Sequence, residues 1–279
     1  MSIASEKNQK NHVFCIYFYK KLIILRVNSV SKRTDMAVET VEIDFKYDEN
    51  KIINGLDYKK LTIDEELSKK LNKGVGVYYN IDNLDYFKNF DNIVSLVKKV
   101  IIETLDTYYK NVKKILVVGL GNDMITPDSL GPVVVNKIEV NSHFEGVSKY
   151  EVSAICPGVK GCTGLESARV IKSLCKEYSF DLIIVVDALA CNHINRMCNS
   201  IQVCTAGVSP GAGIGNRTMP FNIETLGTNV LAIGIPTVSD IDCYIDVENN
   251  YFVTPNNIDE AMDILSLILA KAINEALLE

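Results

Sequence analysis

Three near-continuous apolar runs limit what this chain can fold into. Residues 113–120, 180–186 and 229–235 carry few polar side chains. A strand with one wet face alternates apolar and polar residues, whereas a strand covered on both faces reads as an unbroken apolar run. Between and after these runs, residues 130–138, 164–178 and 256–278 place apolar side chains at helical spacing, the last with Thr254-Pro255 at its start. Strands alternating with helices predict an α/β domain, a largely parallel sheet with helices on both faces. Further strands are expected at 150–155 and 200–205. Ile93, Leu96, Val97, Val100, Ile101 and Leu105 predict a helix over 93–108. Alternation over 36–47 and 74–79 predicts two half-buried strands, a β-rich extension ahead of the main sheet.

Composition enters as a filter on function. The 279 residues are 47% hydrophobic and 23% charged, with a formal net charge of −6. That balance excludes wholesale disorder and disfavours a general nucleic-acid binder, so no direct nucleic-acid contact is expected. Eight cysteines are scattered without any Cys-x-x-Cys, which predicts free thiols in a reducing compartment. Cys191, His193 and Cys198 lie close in sequence but lack a second half-site for zinc. The apolar stretch 13–27 is cut by Lys20 and Lys21, so neither a membrane span nor a signal peptide is expected, and the reading is a cytoplasmic protein without membrane contact. Residues 1–34 are Lys- and Asn-rich, then mixed aromatic and basic, and read as a tail or pro-segment.

Ligands of such sheets bind beyond the carboxyl ends of the strands. Three segments qualify: 119–128, 156–164, and the one opening at Asp187. Asp187 follows an apolar run, where a carboxylate is costly unless it has partners or work. The bland alternative is a helix cap, and for Asp128, in Thr126-Pro127-Asp128 at a helix start, that alternative is stronger. Taken as a pair the two say more. Two carboxylates at one site cannot both ionise easily, so they share a proton and can act on a water as base and acid. That chemistry suits peptide hydrolysis without a metal or a nucleophilic side chain. Gly119, Gly121, Gly158, Gly161, Gly164, Gly207, Gly211, Gly213 and Gly215 gather in the candidate loops, where they permit close approach of backbone to a ligand. Gly119-Leu120-Gly121 does not continue as G-x-G-x-x-G, because Met124 holds the third position, so a dinucleotide site is disfavoured. Three histidines supply a Ser–His or Cys–His system poorly.

Val118-Gly-Leu-Gly-Asn122, Thr126-Pro-Asp-Ser-Leu-Gly-Pro132, Ala154-Ile-Cys-Pro-Gly-Val-Lys-Gly-Cys-Thr-Gly-Leu-Glu166, Asp187-Ala-Leu-Ala190, Val208-Ser-Pro-Gly-Ala-Gly-Ile-Gly-Asn216 and Ala232-Ile-Gly-Ile-Pro-Thr-Val238 occur in that order. As a set they resemble the bacterial spore germination protease family, endopeptidases that degrade small acid-soluble spore proteins. The resemblance implies a hydrogenase-maturation-protease-like α/β fold. It implies an atypical aspartic protease with Asp128 and Asp187 as its catalytic pair, and no cofactor or metal. It also implies a homotetramer in the forespore or spore core, made as a zymogen that removes its own pro-segment. The family's cleavage sites run acidic, aliphatic or aromatic, Ala, small, Glu, and Thr34-Asp-Met-Ala-Val-Glu39 looks like one. Processing is therefore expected between Asp35 and Met36, leaving 36–279 as a single catalytic domain. Asn122, Gly158, Gly161, Thr163, Gly164, Gly213 and Gly215 are expected to bind substrate, the glycine loops holding an extended strand by backbone hydrogen bonds.

The chain departs from the family pattern in three places: a longer stretch before Val30, Asp123 where an aromatic residue is usual, and a shorter stretch between about 240 and 251. Two other readings compete. One is a metal-dependent endopeptidase of the hydrogenase-processing kind, for which only His193 is near the aspartates. The other is a non-catalytic peptide-binding relative. A peptidyl-tRNA hydrolase also begins with Gly-Leu-Gly-Asn, but Asp123-Met124 follows here.

Overall fold

A computed structural model describes residues 34–41, 46–144, 146, 148–215, 218–244 and 251–278, together with the backbone of two strands near the N-terminus. Those two, β1 (His12–Phe18) and β2 (Lys21–Val27), pair antiparallel, His12 opposite Val27. They fall within the stretch read as a pro-segment. The remainder of 1–33, and residues 245–250 in the stretch read as shortened, lie outside the described residues.

The main sheet begins with a hairpin, β3 (Glu49–Ile53) and β4 (Leu56–Ile63). Its two-residue turn is Asn54-Gly55, with φ of 51° and 83°, the pairing that suits the right-handed twist of flanking strands. Then follow β5 (Gly76–Asp82), β6 (Lys114–Gly119), β7 (Glu151–Ile155), β8 (Leu182–Cys191), β9 (Ser200–Cys204), β10 (Asn229–Asp240) and β11 (Phe252–Val253). The helices are α1 (Glu65–Leu71), α2 (Phe90–Tyr108), α3 (Leu130–Val135), α4 (Lys160–Thr163), α5 (Ser167–Tyr178), α6 (Ile223–Leu226) and α7 (Ile258–Leu278). Spatial order is β3-β4-β5-β9-β10-β8-β6-β7, with β11 on the end of β10. The β10-β8-β6-β7 half is parallel and the β3-β4-β5-β9-β10 half antiparallel. The α/β expectation therefore holds with a mixed sheet, and the expected β-rich extension continues that sheet as its antiparallel half.

Burial of both faces explains the apolar runs. Ile115, Val117, Ile184, Val186, Leu231 and Ile233 face α2, α3 and α7, while Leu116, Val118, Ile183, Val185 and Val230 face α5 and α6. Among the described residues no helix is long and apolar enough to cross a membrane.

Two sequence expectations change. Residues 36–47 do not begin as a strand: Ala37–Glu39 is a single 3-10 turn. Met36 and Ala37, adjacent in the chain, are both fully buried, and in different apolar clusters. The Glu39 N–H bonds the Met36 carbonyl at 3.3 Å and the Thr40 N–H the Ala37 carbonyl at 3.0 Å, local bonds that close a turn and not a strand. The other change concerns the run expected to stop at Asp187. It continues as β8 to Cys191, because β10 pairs with it from Leu182 opposite Asn229 to Cys191 opposite Ser239, through an irregularity between Pro236 and Val238.

Candidate active site

The length difference between β6 and β8 creates the site. β6 ends at Gly119, opposite Val186, while β8 runs on. Asp187 therefore sits inside β8, just past the end of β6, and not at a strand terminus. On its other side it pairs with Gly234 of β10. The side chain is 4% exposed, and Oδ2 has no hydrogen-bond partner. Burial, followed by the charges of Asp35 and Asp128, holds its carboxyl well above the usual carboxylate range.

Asp128 arrives on the turn Thr126–Asp128. Its Oδ2 accepts the Asn122 N–H at 2.8 Å. Burial pushes its carboxyl up, opposed by that N–H. Neither aspartate is a helix cap: the residue before α3 is Ser129, and no side chain caps that helix. The loop that brings Asp128 in depends on Gly121, whose φ is +113°.

The third carboxylate comes from the segment singled out as a processing site. The Asp35 N–H donates to the Ala190 carbonyl at 2.9 Å, and the Ala190 N–H donates to Asp35 Oδ2 at 2.9 Å. The Gly213 N–H donates to Oδ1 at 2.9 Å. The segment thus meets β8 at Ala190, past the end of β6, through one backbone–backbone bond and one bond to the Asp35 carboxylate. Lys73 Nζ donates to the Thr34 carbonyl at 2.6 Å. Burial raises Asp35, against the Ala190 N–H, Lys73 and the Gly213 N–H, and burial lowers Lys73. Met36 packs with Leu189, Cys191 and Met197, and Ala37 with Tyr78, Cys204 and Ala232. Glu39 accepts the N–H groups of Asn192 at 2.7 Å and His193 at 3.1 Å, and Arg196 Nε lies 3.5 Å from it. Arg196 is fixed in turn by Asp82, at 2.6 Å. Asp35, Asp187, Lys73, Gln202 and Gly234 line one cavity of about 300 Å³.

The structure brings together Asp128, Asp187, Asn122, Gly213, Asp35 and Met36. Gly215 closes the adjoining Ala212–Ile214 turn. Gly158, Gly161, Thr163 and Gly164 sit elsewhere: the Gly158 carbonyl accepts from Ser167, Thr163 Oγ1 bonds within its own loop, Gly161 lies in α4, and Gly164 ends it. None of the four lines the cavity, and neither do Asp128, Asn122 and Gly213, which reach the site through Asp187 and Asp35. In that turn the Thr163 N–H bonds the Val159 carbonyl at 3.0 Å and the Gly164 N–H the Lys160 carbonyl at 2.9 Å. Glu39 as an anchor, Lys73, Arg196 and Gln202 were not singled out in the sequence. For Gln202 a signal existed, a long polar side chain between Ile201 and Val203 in the buried strand Ser200–Cys204. Asp123 is exposed. Cys191 and Cys198 are buried thiols, each pushed up to about 12 by burial. Among the described residues, no group of three or more His, Cys, Asp or Glu side chains is placed to hold a metal ion.

Comparison with known proteins decides the family. The germination protease model (Peptidase_A25) matches residues 24–247. The chain belongs to the germination protease family. The germination protease of Clostridium perfringens strain SM101 is 34% identical, over 88% of this chain and 94% of that one. That of Clostridium tetani strain Massachusetts is 33% identical over 89% and 96%, and that of Oceanobacillus iheyensis 38% identical over 75% and 64%. Among solved structures, a NiFe hydrogenase maturation protease from Thermococcus kodakarensis aligns with 62% of this chain and 98% of its own, at 16% identity and a TM-score of 0.38. As a germination protease, this chain is a peptidase of spore germination, and the three-carboxylate cluster is its candidate active site.

Proposed function

We propose that this germination protease is an aspartic-type endopeptidase that cuts its own Asp35–Met36 bond and then small acid-soluble spore proteins in the spore core. In this reading residues 1–35 are the pro-segment, 36–279 the catalytic domain, and the working form a homotetramer. One observation carries the catalytic part: Asp187 is buried with an unpartnered oxygen, beside Asp128 and beside the residue that precedes the bond to be cut.

Roles follow from environment. Asp187 has the deeper burial and two negative neighbours, so it holds the proton. Asp128 has a backbone N–H to stabilise its charge, so it is the base. Asp128 takes a proton from a water as the oxygen attacks the carbonyl carbon. Asp187 gives its proton to the substrate side, and the C–N bond breaks as the amine leaves protonated. Asn122, through its backbone N–H, is a positioning residue for the base.

The test is self-processing followed by intact mass. Wild type is expected to lose residues 1–35 and expose Met36, while Asp128→Asn stays full length although folded by circular dichroism. Processing of Asp128→Asn at the wild-type rate refutes the dyad; a new terminus elsewhere refutes the processing site.

A further inference from the structure

One row across the sheet holds more than the aspartate. Gln202 of β9 pairs with Gly234 of β10, and Gly234 pairs with Asp187 of β8. Residues in one row project to the same face. Gln202 and Asp187 therefore stand on the same side, two strand spacings or about 10 Å apart. Between them Gly234 offers no side chain, which leaves a slot floored by backbone. All three line the cavity that also contains Asp35.

Gln202 reaches over this slot to both sides of the Asp35–Met36 junction. Its Oε1 accepts the Ala37 N–H at 2.7 Å, and its Nε2 donates to the Asp35 carbonyl oxygen at 3.2 Å. The amide cannot be turned round. An N–H needs an acceptor, only Oε1 is one, and Nε2 is thereby aimed at the carbonyl. The side chain is 6% exposed, so its dipole acts where water screens little.

We propose that Gln202 is a further catalytic residue, the donor that stabilises the negative charge developing on the carbonyl oxygen of the bond being cut. This rests on the reading that Asp35–Met36 is such a bond. Asp128 and Asp187 handle the protons of water and amine; Gln202 supplies the hydrogen bond to the oxygen. As water adds, the carbonyl π electrons move to that oxygen, and the Nε2–H that already points at it binds the oxyanion more tightly than it bound the amide carbonyl oxygen. When the tetrahedral species collapses, the pair returns to reform C=O and the C–N bond breaks. Gln202 gains and loses no proton. A donor fixed before the reaction costs no reorganisation at the moment of charge development. A Cβ on Gly234 would lie 2.6 Å from the Leu189 side chain, so any larger residue there would have to displace Leu189 to enter the slot.

The same amide also docks the segment through Ala37, and the experiment separates the two roles. Gln202→Glu keeps an oxygen to accept the Ala37 N–H but removes the donor; Gln202→Met removes both. Using the full chain, the first-order rate of self-processing is read by mass. kcat and KM are read on a peptide carrying Thr-Asp-Met-Ala-Val-Glu. Gln202→Glu is expected to lower the processing rate and kcat about a hundredfold, the usual effect of losing one such donor, with KM changed less than threefold. The ratio to wild type is expected to recover as the pH falls, because a protonated carboxyl donates again; a docking role would not show this. Loss confined to KM, or a kcat for both variants within threefold of wild type, overturns the proposal. Wild type that leaves Asp35–Met36 uncut overturns the processing reading itself, a result distinct from an unimpaired Gln202 variant.

Discussion

Asp187→Asn is expected to fold, gain stability at neutral pH, and lose about a thousandfold of peptidase activity. The activity loss follows because an amide cannot give up the proton the leaving amine needs. The stability gain follows from the same burial that makes the residue useful. Asp187 sits in β8 with one oxygen unpartnered and two carboxylates nearby. Its folded value is therefore raised, so the folded chain retains a proton that the unfolded chain releases at about pH 4. Stability from this group is full below that pH and falls as the pH climbs through the raised folded value. Asn carries no such dependence. The expected gain is clear at about pH 8 and vanishes at about pH 4, read as denaturant midpoints at the two pH values. A variant that is less stable than wild type at the higher pH, or that still cleaves, contradicts the placement.

Gly121→Ala is expected to lower activity from outside the Asp128–Asp187 pair. A Cβ at that position lies 1.9 Å from the Asp128 carbonyl oxygen, and the backbone φ is +113°. Both faults push the same way. The strain costs about 1–3 kcal/mol, and relief comes only by moving the turn that carries Asp128. A displacement of about 1 Å at a reacting group costs about a hundredfold in rate. The comparison variant is Gly227→Ala, where φ is +74° but nothing lies within 4 Å. It is expected to lose about 1 kcal/mol of stability and no activity. If Gly121→Ala keeps its kcat, Asp128 does not need the position the structure gives it.

The core was legible because two buried faces leave an unmistakable trace. The runs ahead of Gly119 and Asp187 became β6 and β8, and 93–108 became α2. The site was legible in part for the same reason: a carboxylate such as Asp187 stands out when its neighbours are all apolar. What failed depends on register and long-range contact. The end of β8 was misplaced because Ala188, Leu189 and Ala190 look like a loop-to-helix turn until β10 is known to pair with them. Residues 36–39 alternate like a strand, yet each side chain answers to a different part of the cleft, from Leu189 to Arg196. The hairpin at Asn54-Gly55 carried a readable turn signal that the flanking lysines and aspartates obscured. Gln202 was a polar residue between two apolar ones in a buried strand, and only the row through Gly234 to Asp187 gives it meaning.

The central claim is metal-free hydrolysis by the Asp128–Asp187 pair, and one assay reaches it directly. The full-length chain is incubated with a peptide containing Thr-Glu-Ile-Ala-Ser-Glu, with and without a chelator, and the products are identified by mass. The account predicts a cut after the first Glu, at a rate the chelator leaves unchanged, and none by Asp128→Asn. Cleavage that the chelator abolishes and added metal restores, or an unaltered cut by Asp128→Asn, contradicts it.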